Sequence, residues 1–191
     1  MRFLRPALPI GLIALLLSSC GPSKVAQCNE FADVINQAQG FKSEFESEID
    51  SFTQQAQAAE NLEDFQAAAN QYIEAVDKVV DNIDGMVNSL EGLNLADEEL
   101  ADYRDRYGEI ISSSSEELAV AGEAMQLVAN AKSETDLGQV FEEFQSKADN
   151  AFTNLQTLSQ QESALVGDIN TYCGAEAATE PVPETAPAPA D

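Results

Sequence analysis

The chain contains no histidine and no tryptophan. Without histidine there is no Ser-His or Cys-His nucleophile pair, no HExxH zinc helix, and none of the Glu-x-x-His ligand pairs that hold di-iron centres in helical bundles. Cationic side chains are scarce as well: nine Lys and Arg stand against 34 Asp and Glu, for a formal net charge of -25. Such a polyanion repels nucleic acid and anionic lipid head groups, which excludes a nucleic-acid role, while it attracts cations and basic partners. No segment alternates apolar and polar residues over the length of a strand, so nothing in the chain builds a sheet. The three cysteines are Cys20, Cys28 and Cys173. They fall short of a four-ligand zinc set, and Gly85, Gly92 and Gly108 lie in no phosphate-cradling pattern. The nearest calcium-loop match centres on Gly85 with Asn82, Asp84, Asn88 and Glu91 at ligand positions, but its first ligand would be Val80. No catalytic residue, cofactor or metal is expected.

What is present begins with a leader. Arg2 and Arg5 precede an apolar run from Pro9 to Leu17 that is too short to span a bilayer and ends in Ser18-Ser19-Cys20-Gly21. A basic start, a short apolar core and small residues before a cut site describe a signal peptide over residues 1–19. Leu17-Ser18-Ser19-Cys20 resembles the bacterial lipobox, which implies that Cys20 is lipidated and becomes the mature N-terminus. Removing residues 1–19 takes two arginines and no acid, so the formal charge moves from -25 to -27. The remainder is long enough for one domain, and its wealth of Ala, Glu, Gln and Leu is a helical composition.

Four runs of apolar residues spaced by three and four mark four helices, each with one buried face. The first carries Phe31, Val34, Ala38, Phe41, Phe45, Ile49, Phe52, Ala56 and Ala59. Asn61 caps the second, which carries Leu62, Phe65, Ala69, Tyr72, Val76, Val79, Ile83, Met86 and Leu90 and stops at Gly92. The third opens near Asp97 and turns Leu100, Tyr103, Tyr107, Ile110, Ser114, Leu118, Ala121, Met125 and Val128 inward; Gly108, Gly122 and the run Ser112 to Ser115 weaken its middle. Ser133 with Asp136 opens the fourth, which carries Leu137, Phe141, Phe144, Ala148, Ala151, Leu155, Leu158, Leu165 and Ile169, interrupted by Glu162.

Short connections make consecutive helices antiparallel neighbours, so the expected fold is all-α: an up-down-up-down four-helix bundle of long helices over residues 29–173, a rod about 45 Å long. A single extended coiled coil is the alternative, less suited to faces holding this many Phe and Ala. In the bundle topology the start of the first helix and the end of the fourth share one end of the rod. This predicts a Cys28 to Cys173 disulfide, in keeping with an exported chain. The lipidated Cys20 lies eight residues before Cys28, so residues 20–28 form a short tether and the rod projects from the membrane. Residues 174–191, rich in Pro, Ala and Glu, are expected to be disordered.

Two surface features stand out. Glu74, Asp77, Asp81 and Asp84 form an acidic row on the second helix, a solvated face or a docking face for a basic partner. Arg104 and Arg106 form the one local basic cluster, able to fork a carboxylate or phosphate or to neutralise Asp97, Glu98, Asp102 and Asp105.

The lipobox, CNEFADVINQ at the first helix, LADEELADYRDRYGEI at the third and INTYCG at the close together resemble uncharacterised helical lipoproteins of Gram-negative bacteria, with cyanobacteria a candidate source. The resemblance implies no activity. The expected role is that of a non-enzymatic lipoprotein, tethered through Cys20 and serving as an interaction or scaffold module for an unknown envelope protein. The alternative is a ligand-binding or sensory bundle for a small molecule or cation. Gly21 after the lipidated cysteine favours the outer membrane over the inner.

Overall fold

The computed structural model describes residues 22–174; the leader over 1–19, Cys20 and the tail beyond Gly174 lie outside the described residues. Four helices account for nearly all of it: α1 (Lys24–Ala58), α2 (Leu62–Glu91), α3 (Glu98–Ala129) and α4 (Glu134–Cys173). No proline occurs between Pro22 and Pro181, so nothing breaks the backbone hydrogen-bond ladder of any helix.

The boundaries follow local chemistry. Ser23, Asn61, Asp97 and Ser133 each accept a bond from the backbone N–H three residues on, satisfying a donor that the first turn leaves orphaned. At α2 and α4 the carboxylates of Asp64 and Asp136 also reach back, to Glu60 N–H and Lys132 N–H. Gly92 closes α2, and Gly174, with φ at 77°, closes α4 in the left-handed conformation that glycine adopts without a Cβ penalty. Helix α1 starts about two turns before Phe31, where its apolar pattern begins, because Ser23 caps it. Cys28 therefore sits inside α1, and Cys173 is the last residue of α4.

Helix α1 packs on α2, α2 on α3, and α3 on α4. Glu44 pairs with Lys78 and Gln55 with Gln71; Gln66 bonds Ala129 and Ala131 while Arg104 bonds Leu93; Glu117 meets Asn154 while Asp97 meets Tyr172. In each pair of helices, residue numbers fall along one as they rise along the other, so consecutive helices are antiparallel. The expected disulfide is present, joining Cys28 to Cys173 with their Cα atoms 5.9 Å apart.

The core centres on α2 and α3. Ala68, Ala69, Ala75 and Val76 of α2 and Ser115, Gly122, Ala124 and Met125 of α3 are buried, and this run of small side chains lets the two backbones approach closely. Gly122 marks the tightest point: a Cβ there would stand 3.2 Å from Cγ1 of Val76. That approach corrects the face expected for α3. Midway along the helix Ile111, Ser115 and Gly122 are buried, in place of Ile110, Ser114 and Ala121. The helix has turned its smallest residues to α2.

The second correction concerns closure. At the disulfide end all four helices converge around Phe31, Met86, Leu90, Leu100, Tyr107 and Leu165. Away from that end α1 and α4 scarcely meet. The reason lies in α1, where the row that begins with Cys28 and Ile35 continues at helical spacing as Lys42, Glu46 and Thr53, all exposed. The rings of Phe45 and Phe52 turn instead to Tyr72 of α2, with centroids 6.4 and 5.2 Å away. Helix α4 buries only Ala151, Leu165 and Ile169, and at the far end its Leu137 and Phe144 pack with Phe52 of α1 on the cluster of Ala69, Met125 and Val128.

Two predictions follow from these helices. Gly122→Leu forces a side chain into the α2–α3 seam and lowers stability by about 1–3 kcal/mol, whereas Gly85→Ala, where nothing lies within 4 Å of the added Cβ, raises it by about 0.5–1 kcal/mol through helix propensity; denaturant melts of both variants read the opposite signs. Replacing Cys28 and Cys173 together by serine frees a loop spanning a sequence separation of 145. Loop-closure entropy sets this loss at up to about 5 kcal/mol, seen as a lower midpoint in the same melts and, in the parent chain, as a mass gain of two protons on reduction.

Candidate functional site

The densest polar arrangement lies at the disulfide end. Gln27, buried in the second turn of α1, donates through Nε2 to Pro22 O at 3.0 Å, and its Oε1 accepts from the backbone N–H groups of Ala96 and Asp97 at 2.6 and 3.0 Å. One carboxamide thus ties the entry of α1 to the α2–α3 connection. Asp97 caps α3 through Leu100 N–H and accepts from the Tyr172 hydroxyl at 2.9 and 3.1 Å. Lys24 Nζ stands 3.3 Å from the Tyr172 ring centroid. The Leu100 N–H, then the Tyr172 hydroxyl and the charge of Lys24, hold the Asp97 carboxyl below the usual carboxylate range. The same bond raises Tyr172, which keeps its proton and remains a donor. Sequence reasoning passed over Gln27. Its only signal is a polar residue on the inward side of the turn that carries Cys28.

A second polar contact crosses the core. The Tyr107 hydroxyl, on a fully buried side chain, donates to Glu162 Oε1 at 3.0 Å, and the Tyr107 ring stands edge-on to Phe31 with centroids 6.2 Å apart. Burial, then the adjacent Glu162 carboxylate, push the phenol far above its ordinary range, so it acts as a permanent donor. The one charge in the α4 stripe therefore answers a tyrosine, and the pair fixes the α3–α4 register.

The other singled-out residues lie on the surface. Glu74, Asp77, Asp81 and Asp84 are all exposed along α2, and no ion pair to any of them occurs among the described residues. Glu74 borders a groove of about 380 Å³ between α1 and α2, together with Glu44, Glu48, Gln71 and Lys78. The structure separates Arg104 from Arg106. Arg104 bonds Asp105 and Leu93 O, while Arg106 pairs with Asp102 at 3.6 Å and lies over Tyr103. Arg104 also lines a groove of about 510 Å³ between α2 and α3, beside Gly108, Ser112 and Ser113. Among the described residues, no group of three or more acids and cysteines could hold a metal, and no helix is long and apolar enough to cross a membrane.

Comparison with protein families finds one described as uncharacterised lipoprotein PM1805, whose model matches residues 27–170. The chain belongs to this lipoprotein family. The matched span runs from Gln27 almost to the end of α4, so it takes in the buried carboxamide, Asp97, Tyr107 and Glu162. Comparison with curated proteins and with solved structures finds no match. In the lipoprotein, then, the arrangement at the disulfide end joins the ends of α1, α3 and α4.

Because the Asp97 pKa is lowered in the folded state, its contribution to stability is present above the unfolded value near 3.8 and is lost as pH falls through the folded value. Asp97→Asn keeps a capping oxygen but cannot lose a charge. The difference in melting temperature between the lipoprotein and this variant should therefore be constant from neutral pH down to about 5 and shrink below 4; a difference that stays constant to pH 2 would contradict the assignment.

Proposed function

We propose that this lipoprotein is a non-enzymatic interaction or scaffold module of the cell envelope, tethered to a membrane through lipidated Cys20. The observation that carries this reading is the joining of α1 to α4 at Cys28 and Cys173, a few residues after the lipobox. Tethering there leaves the remaining length of all four helices to project outward. We read those helices as an up-down-up-down bundle that stays open along its α1–α4 side. The exposed row Glu74, Asp77, Asp81 and Asp84 is the docking face for an envelope protein, and its mutual repulsion, a few tenths of a kcal/mol per pair, is the sign that it does not serve stability. Gly21 in place of an inner-membrane retention signal favours the outer membrane.

Crosslinking in native membranes, with the intact lipoprotein beside a Cys20→Ser control, tests the reading. A protein recovered only with the anchored form supports it, and recovery of nothing from well-crosslinked membranes rejects it.

A second reading, a ligand-binding bundle, is favoured by the groove of about 510 Å³ between α2 and α3. Gly108 leaves it room, while Arg104, Ser112 and Ser113 supply polar groups at the weak middle of α3. A ligand that binds only the folded state raises the melting temperature, so thermal shift against amino acids, anions and divalent metals separates the two readings.

A further inference from the structure

Phe152 of α4 is 70% exposed and Phe141 46% exposed; with Val25 near the start of α1, they are the exposed large apolar side chains among the described residues. They belong to one row: Phe141, Gln145, Ala148 and Phe152 follow at spacings of four, three and four, which stacks them along one side of the helix. That side faces away from α3. Lys147 and Asn154, which reach α3, lie about 150° round the helix from the two phenylalanines, at roughly 100° per residue. Cys173, which reaches α1, lies on the same side as the row. Counted from the bridge, Phe152 lies about 31 Å along α4, level with the stretch of α1 that presents Glu46 and Thr53, both exposed, while Phe141 lies about 48 Å along, level with the end of α1 at Ala58, its ring 6.0 Å from that of Phe144.

The surroundings say what does cover them. Glu142 and Asp149, both exposed and seven residues apart, run directly alongside, and Glu46 and Asp50 are exposed on α1. Helix α4 carries seven acids, with Lys147 its one base, and that lysine faces Glu123 of α3. A second copy would bring the same carboxylates against these. The segment beyond Gly174 holds Glu176, Glu180, Glu184 and Asp191, no cation and no aromatic residue, so it matches neither the charge nor the rings. A bilayer is no better fit, because Phe152 lies 21 residues before Cys173, about 30 Å along α4 from the anchored end.

We propose that the Phe141–Phe152 row, with Glu142 and Asp149 as its charged rim, docks a cationic amphipathic helix of a protein partner. Apolar anchors of that helix cover the two rings along α4, and its lysines or arginines meet the flanking carboxylates, in the manner of a helix laid on an apolar face. The inference rests on the interaction reading above and names its partner chemistry and its surface, which is distinct from the acidic row of α2.

The probe is a synthetic helix with leucine on one face and lysine on the other, its counterpart with glutamate for lysine, and neutral phosphatidylcholine vesicles. The lysine helix is expected to bind the folded lipoprotein, more weakly as salt rises. Phe141→Ser with Phe152→Ser weakens it by about tenfold or more, as does Glu142→Lys with Asp149→Lys. Should the double serine variant melt early, Phe152→Ser alone, at the more exposed position, must show a loss in the same direction. Equal binding by parent and serine variants, equal binding of the glutamate helix, adsorption to the vesicles through these rings, or a dimer of the parent that the serine variant abolishes would each overturn the proposal. In native membranes, a photocrosslinking residue at position 152 should label a segment that is basic and amphipathic when mapped. Labelling from position 81 but not from 152 would reject this surface while leaving the interaction role intact.

Discussion

Four long helices joined by short turns have many ways to slide past one another, and the junction at the disulfide end removes most of them. The Cys28–Cys173 bridge brings the first and last helices to a Cα separation of 5.9 Å, at a place where few other contacts hold α1 to α4. Gln27, next to Cys28, spends its whole side chain on Pro22, Ala96 and Asp97, so α1 is registered against the start of α3 as well. Asp97 then turns from acceptor at the α3 cap to acceptor for Tyr172, which brings in the last turn of α4. Covalent bond, buried carboxamide and charged cap act within a few residues of one another. The Tyr107–Glu162 bond lies further up α3 and α4 and continues the register they set.

Away from the junction, order among the helices is decided by side-chain size and by what each face offers its neighbour. Alanines, Ser115 and Gly122 let α2 and α3 pack closely, and a close approach maximises dispersion contacts along the seam. Helix α1 then lies along α2, and α4 along α3. Closing the fourth side would require burying Lys42 and Glu46 of α1 against α4. Taking those charges out of water costs more than the apolar contact returns, and the side stays open.

Much of the fold was legible because capping and turn chemistry are local. Asn61, Asp97, Ser133 and Gly92 stand where a cap's own backbone needs them, and each does in the structure what its type implies. The disulfide was legible because antiparallel order puts the two cysteines at one end whatever the details between. The face of α3 was not, since Ile110 and Ile111 satisfy the apolar period equally well and only the approach of α2 at Gly122 chooses between them. The opening beside α4 was hidden for a related reason: the α4 stripe keeps nearly perfect phase, and what fails is the matching row on α1. Single-helix periodicity cannot report a property that belongs to a pair. Glu162 likewise reads as an anomaly in its own stripe and becomes intelligible only opposite Tyr107. The acidic row and the two arginines were legible as polar surface residues, since their charges alone keep them in water.

The distribution of charge bears on how a partner would be chosen under the proposed interaction role. No charged residue is fully buried among the described residues, so the carboxylates act from the surface, where ions screen them over about 8 Å at physiological salt. Their field therefore discriminates at contact and contributes little to attraction from afar. The proposed tether would make up for this, because anchoring raises the effective concentration of the helices near whatever shares the membrane. Weak, short-ranged docking faces then suffice, provided the helices are held at a fixed end and present those faces in a fixed order. The bridge and Gln27 supply that order, and under the proposed interaction role the exposed Phe152 of α4 belongs to one such face.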